Sequence, residues 1–580
     1  EQVASANAPN APAWNSTATD QHDDGAAVSF QDFSLNNDLD QLRIGNNVLA
    51  IHGLNRNNTS SDLLLMPAVQ ALRQQEAQIG DADFFLNPSP GSPNGTAQGL
   101  PAGPVTFSIP GQSFTGTRSL SLSNASPSAV IRYTTNGNLP TSNSTQFSAP
   151  INITSSTLVR ARAFEPNKAP GPIGEQAYLK LTSNVRAFSS NLPVVVLDRL
   201  GSNESASNGK SSVFWSIFEP SESGGRTQLL GNYSMGTRAG YKVRGSSSTG
   251  FAKKSWSIEA WNENNANKNV SPLNMPSESD WILSGRYTFD RALMRNPVMY
   301  TLSNQIGRYA VRTRFVEVYL NTNGGDVQSS DYHGVYTLME KISRDNDRVD
   351  VERLPEGIAT EPGITGGYML KIDRSDPGDN GFAAAGQSLR YVYPKEEDVT
   401  VDQANWIRGY MNDFGSALNG PNFADPVLGY EKYIDVDSFI DHHLLNVLSL
   451  NADALRLSTY MFKPRDRKLQ MGPIWDFDRS LESTDGRDDN PKTWQGGTSY
   501  FNYPWWNRLF ADENFWQRYI DRYVELRQSA FSTSNIHGII DGFARELNES
   551  QVRNFQRWPA VSPRFGSYQG EVNHLKDWLE

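Results

Sequence analysis

The sequence predicts a multidomain chain in which N-terminal β-sandwich modules precede a two-lobed α+β domain. Its 580 residues exceed what one hydrophobic core organises. Residues 87–104 hold Pro-Ser-Pro-Gly-Ser-Pro-Asn-Gly and Leu-Pro-Ala-Gly-Pro, a linker composition with turn chemistry. Before about residue 190 the apolar residues alternate with period two, and beyond it strand-like runs mix with helical periodicity.

The first module is expected over residues 1–85 as a partial sandwich. Val48, Ala50 and Ile51 follow a Gly-Asn-Asn turn, and Leu63 to Leu65 form a second apolar run. After the linker at 86–104, a second β module is expected over 105–182. Val130 to Thr135 and Leu158 to Phe164 alternate, with Asn136-Gly137 as a turn between them. Strands and turns at this spacing suggest an immunoglobulin-like sandwich acting as a spacer, with its own core.

The α+β domain is expected over 190–580. Its strands include Val194 to Leu197, Phe315 to Leu320 and Val335 to Met339. A helix is expected from Asp290 to Ile306, because Met294, Val298, Leu302 and Ile306 share a face. Another should start at Asp437 as N-cap and carry Ile440, Leu444, Val447 and Leu448. Trp505 to Leu547 is mainly helical and aromatic-rich.

Composition narrows the chemistry. The net charge is −11 and no long Lys/Arg block occurs, so a nucleic-acid backbone is a poor partner. No cysteine is present, which excludes disulfides, thiolate metal sites and Cys nucleophiles. No apolar run is long enough for a membrane span. His442-His443 has no further His at metal-ligand spacing and reads as structural. The Asn-x-Ser/Thr triplets at Asn124, Asn143 and Asn152 read as chance in so Asn- and Ser-rich a chain.

The densest chemical signal is Leu450-Asn-Ala-Asp-Ala-Leu-Arg456 followed by Met471-Gly-Pro-Ile-Trp-Asp-Phe-Asp-Arg479. Asp453 should lie on a loop at a helix C-terminus. Tyr460 to Phe462 and Lys468 to Met471 should pair as a hairpin, with Asp476 and Asp478 just after it. Such a hairpin brings two acidic loops to one cleft. Phosphoryl transfer uses such a pair, one carboxylate orienting a hydroxyl and the other holding Mg²⁺. A structural Ca²⁺ site at Asp476 and Asp478 is the rival reading.

Gly472-Pro-Ile-Trp-Asp-Phe-Asp478 resembles the Trp-Asp-x-Asp signature of the spore coat protein H (CotH) kinase family. Further family-like strings occur in the expected order: Lys242 to Ser248, Phe251 to Ile258, Phe289 to Asn296, Gly334 to Ile342 and Gly367 to Asp373. Tyr133 to Thr141 similarly resembles a chitobiase C-terminal-like module, and Gly45 to Asn55 the closing strands of a galactose-binding jelly roll. The CotH resemblance implies an atypical protein-kinase-like fold that uses ATP and Mg²⁺ and phosphorylates Ser or Thr outside the cytoplasm. By position it implies Asp453 as catalytic Asp and Asp476 as metal Asp. Lys254 would contact the ATP phosphates, with Lys253 as its rival. Arg244, Gly245 and Ser246 would cover the phosphates, and Glu340 would lie near the nucleotide. Asp290 and Arg295 would form a supporting ion pair. Ser458 stands where protein kinases carry the Asn ligand of a second Mg²⁺, leaving Asp478 or Asn451 as replacements.

The expected partner is a secreted or cell-surface protein, with a glycan as alternative acceptor. The polar first residues and the helical pattern running to Glu580 are read as the ends of a longer exported, bacterial protein whose signal has been removed. Two rival functions stand beside the kinase: a pseudokinase-type scaffold or adhesion protein, and nucleotidyl transfer on the same fold.

Overall fold

The computed structural model describes residues 100–580 apart from 201–208, 222–224, 286, 376–379 and 494–498, with scattered positions among the first 57. The expected N-terminal partial sandwich, and the linker up to residue 99, lie outside the described residues. The chain divides into two compact units, Glu1–Ala82 and Asp83–Glu580.

The described part of the second unit opens with a β module. Strands Gln112–Phe114, Gly174–Lys180, Thr157–Phe164, Val130–Thr134 and Thr145–Gln146 are neighbours in that order in one sheet, and two short strand pairs complete it. Alternation along these strands buries Phe114, Ile131, Val159, Ala161 and Tyr178 in one core. The module is not a detached spacer, however. Leu179, Leu181 and Val185 pack in one cluster with Val194, Val196, Phe218 and Tyr319 of the next domain. Leu158 and Ala177 close on Phe214 in another. The Ser113 amide also donates to the Gly231 carbonyl at 2.9 Å. Apolar surface at the module's last strand is thus covered by the domain after it.

A closed seven-stranded barrel comes next. Its strands are β1 (Val194–Asp198), β2 (Ser211–Phe218), β3 (Met235–Arg244), β4 (Ser255–Ala260), β5 (Asp280–Ser284), β6 (Thr313–Asn321) and β7 (Tyr332–Glu340). They are ordered β1-β2-β3-β4-β5-β7-β6, and β6 closes back on β1 in parallel, Val194 opposite Glu317 and Asp198 opposite Asn321. In β4 every second residue, Trp256, Ile258 and Ala260, is buried, as a strand with one inward face requires. These meet Trp215, Trp281, Leu283, Val316 and Leu338 inside the barrel.

Between β5 and β6 runs α1 (Arg295–Gln305). It starts later than the sequence pattern suggests, because Leu293 adopts a left-handed φ of 64° and residues 290–294 form a turn. Pro297 then falls in the first turn, where a missing N–H costs nothing. A five-stranded sheet comes after the barrel, ordered β9-β10-β8-β11-β12, from β8 (Tyr368–Ile372), β9 (Phe382–Ala384), β10 (Gln387–Tyr393), β11 (Thr459–Lys463) and β12 (Gln470–Met471). The expected hairpin is β11-β12, with Met461 opposite Met471.

The helices are α2 (Val401–Asn419), α3 (Val436–Leu448), α4 (Trp506–Leu509), α5 (Glu513–Arg527), α6 (Thr533–Leu547), α7 (Ser550–Arg557) and α8 (Tyr568–Leu579). The N-cap of α3 is Asp435, whose carboxylate accepts from the Ser438 amide at 2.8 Å, and not Asp437, which sits in the first turn. One large apolar core joins α1, this sheet and these helices. No described helix is long and apolar enough to cross a membrane.

Candidate active site

The Asp453 loop begins where α3 stops. Ser449 Oγ bonds back to the Leu445 and Asn446 carbonyls, and Leu450 then turns left-handed at φ 46°. Asn451 organises the rest of the loop. Its amide donates to Asn446 Oδ1 at 3.1 Å, its Oδ1 accepts from the Asp453 amide at 3.2 Å, and its carbonyl accepts from the Tyr500 hydroxyl at 2.7 Å. With 3% of its surface exposed, Asn451 is a buried brace of this loop.

Three arginines surround the Asp453 carboxylate. Arg456 and Arg487 both bond Oδ1, the latter at 3.2 Å, and Arg479 Nε lies 3.8 Å from Oδ2. Arg487 and Arg479 also hold Asp485, whose carboxyl the Arg487 guanidinium keeps below the usual range. Arg479 rests over the Phe289 ring at 4.0 Å. The sequence pattern does not announce this cage, although Arg479 directly follows Asp478.

The Asp476 loop is held through its backbone. Asp476 is left-handed at φ 65°, and its amide donates to the Tyr300 hydroxyl at 3.3 Å. The Phe477 amide donates to Asn296 Oδ1 at 2.6 Å. Arg295, 1% exposed, donates to the carbonyls of Ser480, Leu481 and Glu482 and is fixed by Asp290 at 2.9 Å. The expected Asp290–Arg295 pair thus anchors the acidic loop to α1. Among the described residues no cation pairs with the Asp476 carboxylate.

Two backbone bonds tie the loops together: the Ala452 amide to the Arg479 carbonyl at 3.0 Å and the Leu481 amide to the Ser449 carbonyl at 2.8 Å. Asp373, just past β8, joins the same end of the sheet. Ile372 pairs with Thr459, so Asp373 stands across from Ser458. Its carboxylate accepts from the Arg374 amide at 2.8 Å, with Lys371 at 3.9 Å. Burial pushes this carboxyl up, and the nearby Asp476 charge adds to the push.

The β3-β4 connection overhangs these groups. Gly245 has φ +111°, and a Cβ there would meet Ser248 Oγ at 2.0 Å, so only glycine fits. Arg244 lies 5.4 Å over the Trp475 ring, which stacks on Tyr300, and Arg374 reaches Ser246 Oγ at 3.4 Å. Lys254 donates to the Thr249 carbonyl at 2.6 Å within this connection and, among the described residues, pairs with neither Asp453 nor Asp476.

Two expected nucleotide contacts are committed elsewhere. Lys253 is buried, donating to the Val335 carbonyl at 2.5 Å and to Asn554 Oδ1 at 2.9 Å, and so anchors α7. Glu340 is wholly buried, its carboxylate taken by Arg312 backbone and side chain at 2.8 Å and the Tyr309 hydroxyl at 3.0 Å. His442 and His443 are buried and held neutral, with pKa values pushed down to about 4 and about 3 by burial.

Among the described residues no three His, Cys, Asp or Glu stand together at metal-ligand spacing. The donors that do gather are carboxylate oxygens, which suits a hard cation that keeps its own waters and shares substrate phosphates. No curated protein matches the chain. The family described as chitobiase/beta-hexosaminidase C-terminal domain matches residues 109–174, within the β module. The family described as CotH kinase protein matches residues 241–580, from β3 to the end of the chain. As that match takes in well over half of the 580 residues, the chain belongs to the CotH kinase protein family, with a chitobiase-type β module ahead of the kinase domain.

Proposed function

We propose that this chain is an extracytoplasmic, ATP- and Mg²⁺-dependent atypical kinase that phosphorylates Ser or Thr hydroxyls of secreted or surface proteins. The observation that carries this reading is the pair of hydrogen bonds fastening the Asp453 loop to the Asp476 loop, with the Arg244–Ser246 turn overhanging them. In this reading the barrel and the helical part are the two lobes of a kinase-like fold. Mg²⁺ bound with ATP would supply charge neutralisation at the phosphate oxygens.

The chain's own residues do the rest. Asp453 orients the acceptor hydroxyl and takes its proton as the hydroxyl oxygen bonds to the γ-phosphorus and the bond to ADP breaks. Asp476 would hold the cation, with Asp478 two residues on as a further ligand. Gly245 lets the β3-β4 turn approach the phosphates through backbone N–H groups. Arg244, Ser246 and Lys254 line that turn. Glu340 acts by fixing the end of β7 through Arg312.

A weakly active scaffold is the second reading. Ser458 at the usual amide position and the three arginines on Asp453 favour it. Labelled ATP decides between them. Transfer of the γ label to protein or glycan supports the kinase, and transfer of the α label supports nucleotidyl transfer. No transfer of either label to the chain or to extracellular extracts leaves the scaffold.

A further inference from the structure

The nucleotide reading leaves a gap at Ser458, where a second cation ligand is expected and a hydroxymethyl group stands. Asn451 is buried in the loop it braces, Glu340 is enclosed by Arg312 and Tyr309, and Asp453 is bound by three guanidiniums. None of these can turn to a cation without breaking bonds that shape the site.

One carboxylate stands beside Ser458 itself. β8 runs antiparallel to β11, and β11 antiparallel to β12, so the C-terminal ends of β8 and β12 lie at the same edge of the sheet. Asp373 leaves β8 there, and Asp476 comes after β12 there. The Arg374 backbone amide holds the Asp373 carboxylate at 2.8 Å, with the Lys371 ammonium 3.9 Å away. A carboxylate has about four acceptor positions, so these contacts leave lone pairs over. The same turn overhangs both acids, through Arg374 on Ser246 and Arg244 on Trp475.

Two carboxylates at one mouth repel each other, and a divalent cation between them relieves that repulsion beside the Lys371 ammonium 3.9 Å from Asp373. Mg²⁺ is bound by one or two carboxylates together with waters and substrate phosphates.

We propose, resting on the nucleotide reading, that Asp373 is a further carboxylate of the cation site assigned to Asp476 and Asp478, directly or through one of the ion's waters, in place of the amide that Ser458 lacks.

The test is Mn²⁺ titration of the full chain, followed by electron paramagnetic resonance, with a non-hydrolysable ATP analogue present. The parent, Asp373→Asn, Asp476→Asn and Ser458→Ala are compared, each first checked for a parent-like thermal melt. Asp373→Asn should weaken Mn²⁺ binding about 10–100-fold, the range seen when a supporting group at a metal centre is lost. Ser458→Ala should bind as the parent does, since a hydroxymethyl group does not stand in for the missing amide ligand. If Asp373→Asn does not fold, Asp373→Glu replaces it. Its carboxylate is displaced by one methylene, so binding should weaken severalfold.

Mn²⁺ binding within twofold of the parent in whichever Asp373 variant folds, while Asp476→Asn loses it, overturns the assignment and leaves the nucleotide reading standing. A parent that takes up neither Mn²⁺ nor the analogue brings down both.

Discussion

The two acidic loops of the site are stabilised in opposite ways. Asp453 sits among Arg456, Arg479 and Arg487, so the protein itself neutralises its charge. Asp476 has no cationic partner among the described residues. Its loop is held through main-chain bonds from Tyr300, Asn296 and Arg295, which leave the carboxylate outside the network. A carboxylate balanced by fixed guanidiniums keeps one orientation and suits alignment of a hydroxyl. An unbalanced carboxylate beside another acid keeps a negative potential, and that suits a cation. On the proposed reading, the two roles follow this difference in charge balance.

The largest effect should come from exchanging charge for amide in each loop. Asp453→Asn should lower transfer by about 10²–10⁴-fold, the usual loss for a general base, with nucleotide binding nearly intact. Asp476→Asn should instead weaken Mg²⁺-dependent nucleotide binding. Titrating ATP–Mg²⁺ into each variant and then measuring label transfer at saturation gives both numbers. A reversed pattern exchanges the roles, and two parent-like variants would make both carboxylates structural.

Next in size is the anchor under the Asp476 loop. Arg295 and Asp290 are buried at 1% and 0% side-chain exposure, so Arg295→Ala strands a charge and frees three carbonyls. Breaking such a pair typically costs about 3–5 kcal/mol. Urea unfolding of Arg295→Ala should show a loss of that order. A midpoint within error of the parent would mean that the loop does not depend on α1.

Cation removal tests the unbalanced loop directly. A ligand that binds only the folded state at 100 times its Kd stabilises by about 2.7 kcal/mol. The parent and Asp453→Asn should gain thermal stability with ATP and Mg²⁺ and lose the gain on chelation, whereas Asp476→Asn should gain little. An equal gain in all three proteins would place the cation elsewhere.

Much of this was legible in the sequence because it is local. The β11-β12 hairpin, the strands β1, β6 and β7 and the loop after α3 are consequences of periodicity and turn residues. Backbone-mediated and long-range facts were not legible. Lys253 and Lys254 are adjacent and chemically alike, and only the packing of α7, with Asn554 about three hundred residues away, decides that Lys253 is buried. Glu340 is read from the sequence as an acid near the nucleotide, and its burial against Arg312 across the sheet leaves no signal there. Arg487 reaches Asp453 from 34 residues away, with no periodic signal to announce it. The β module looked independent because its composition is self-sufficient. Its union with the barrel depends on Leu179 and Leu181 facing Val194 and Tyr319, which a single strand's alternation does not reveal.

The smallest effect tests the cage itself. Arg456 is 42% exposed at its side chain and shares Asp453 Oδ1 with Arg487, so it is the partner easiest to displace. Exposed ion pairs contribute about 0–1 kcal/mol, so Arg456→Ala should leave the thermal midpoint nearly unchanged. Its effect on transfer has a definite sign. An acceptor hydroxyl must reach a carboxylate oxygen of Asp453, and Arg456 covers one. Removing Arg456 should therefore raise transfer by a few-fold, since about 1 kcal/mol of barrier is roughly a factor of five. Single-turnover transfer at saturating nucleotide, compared with the parent, measures it. A tenfold fall would show that Arg456 helps hold the acceptor or the phosphates, and the cage would then belong to the reacting groups rather than restrain them.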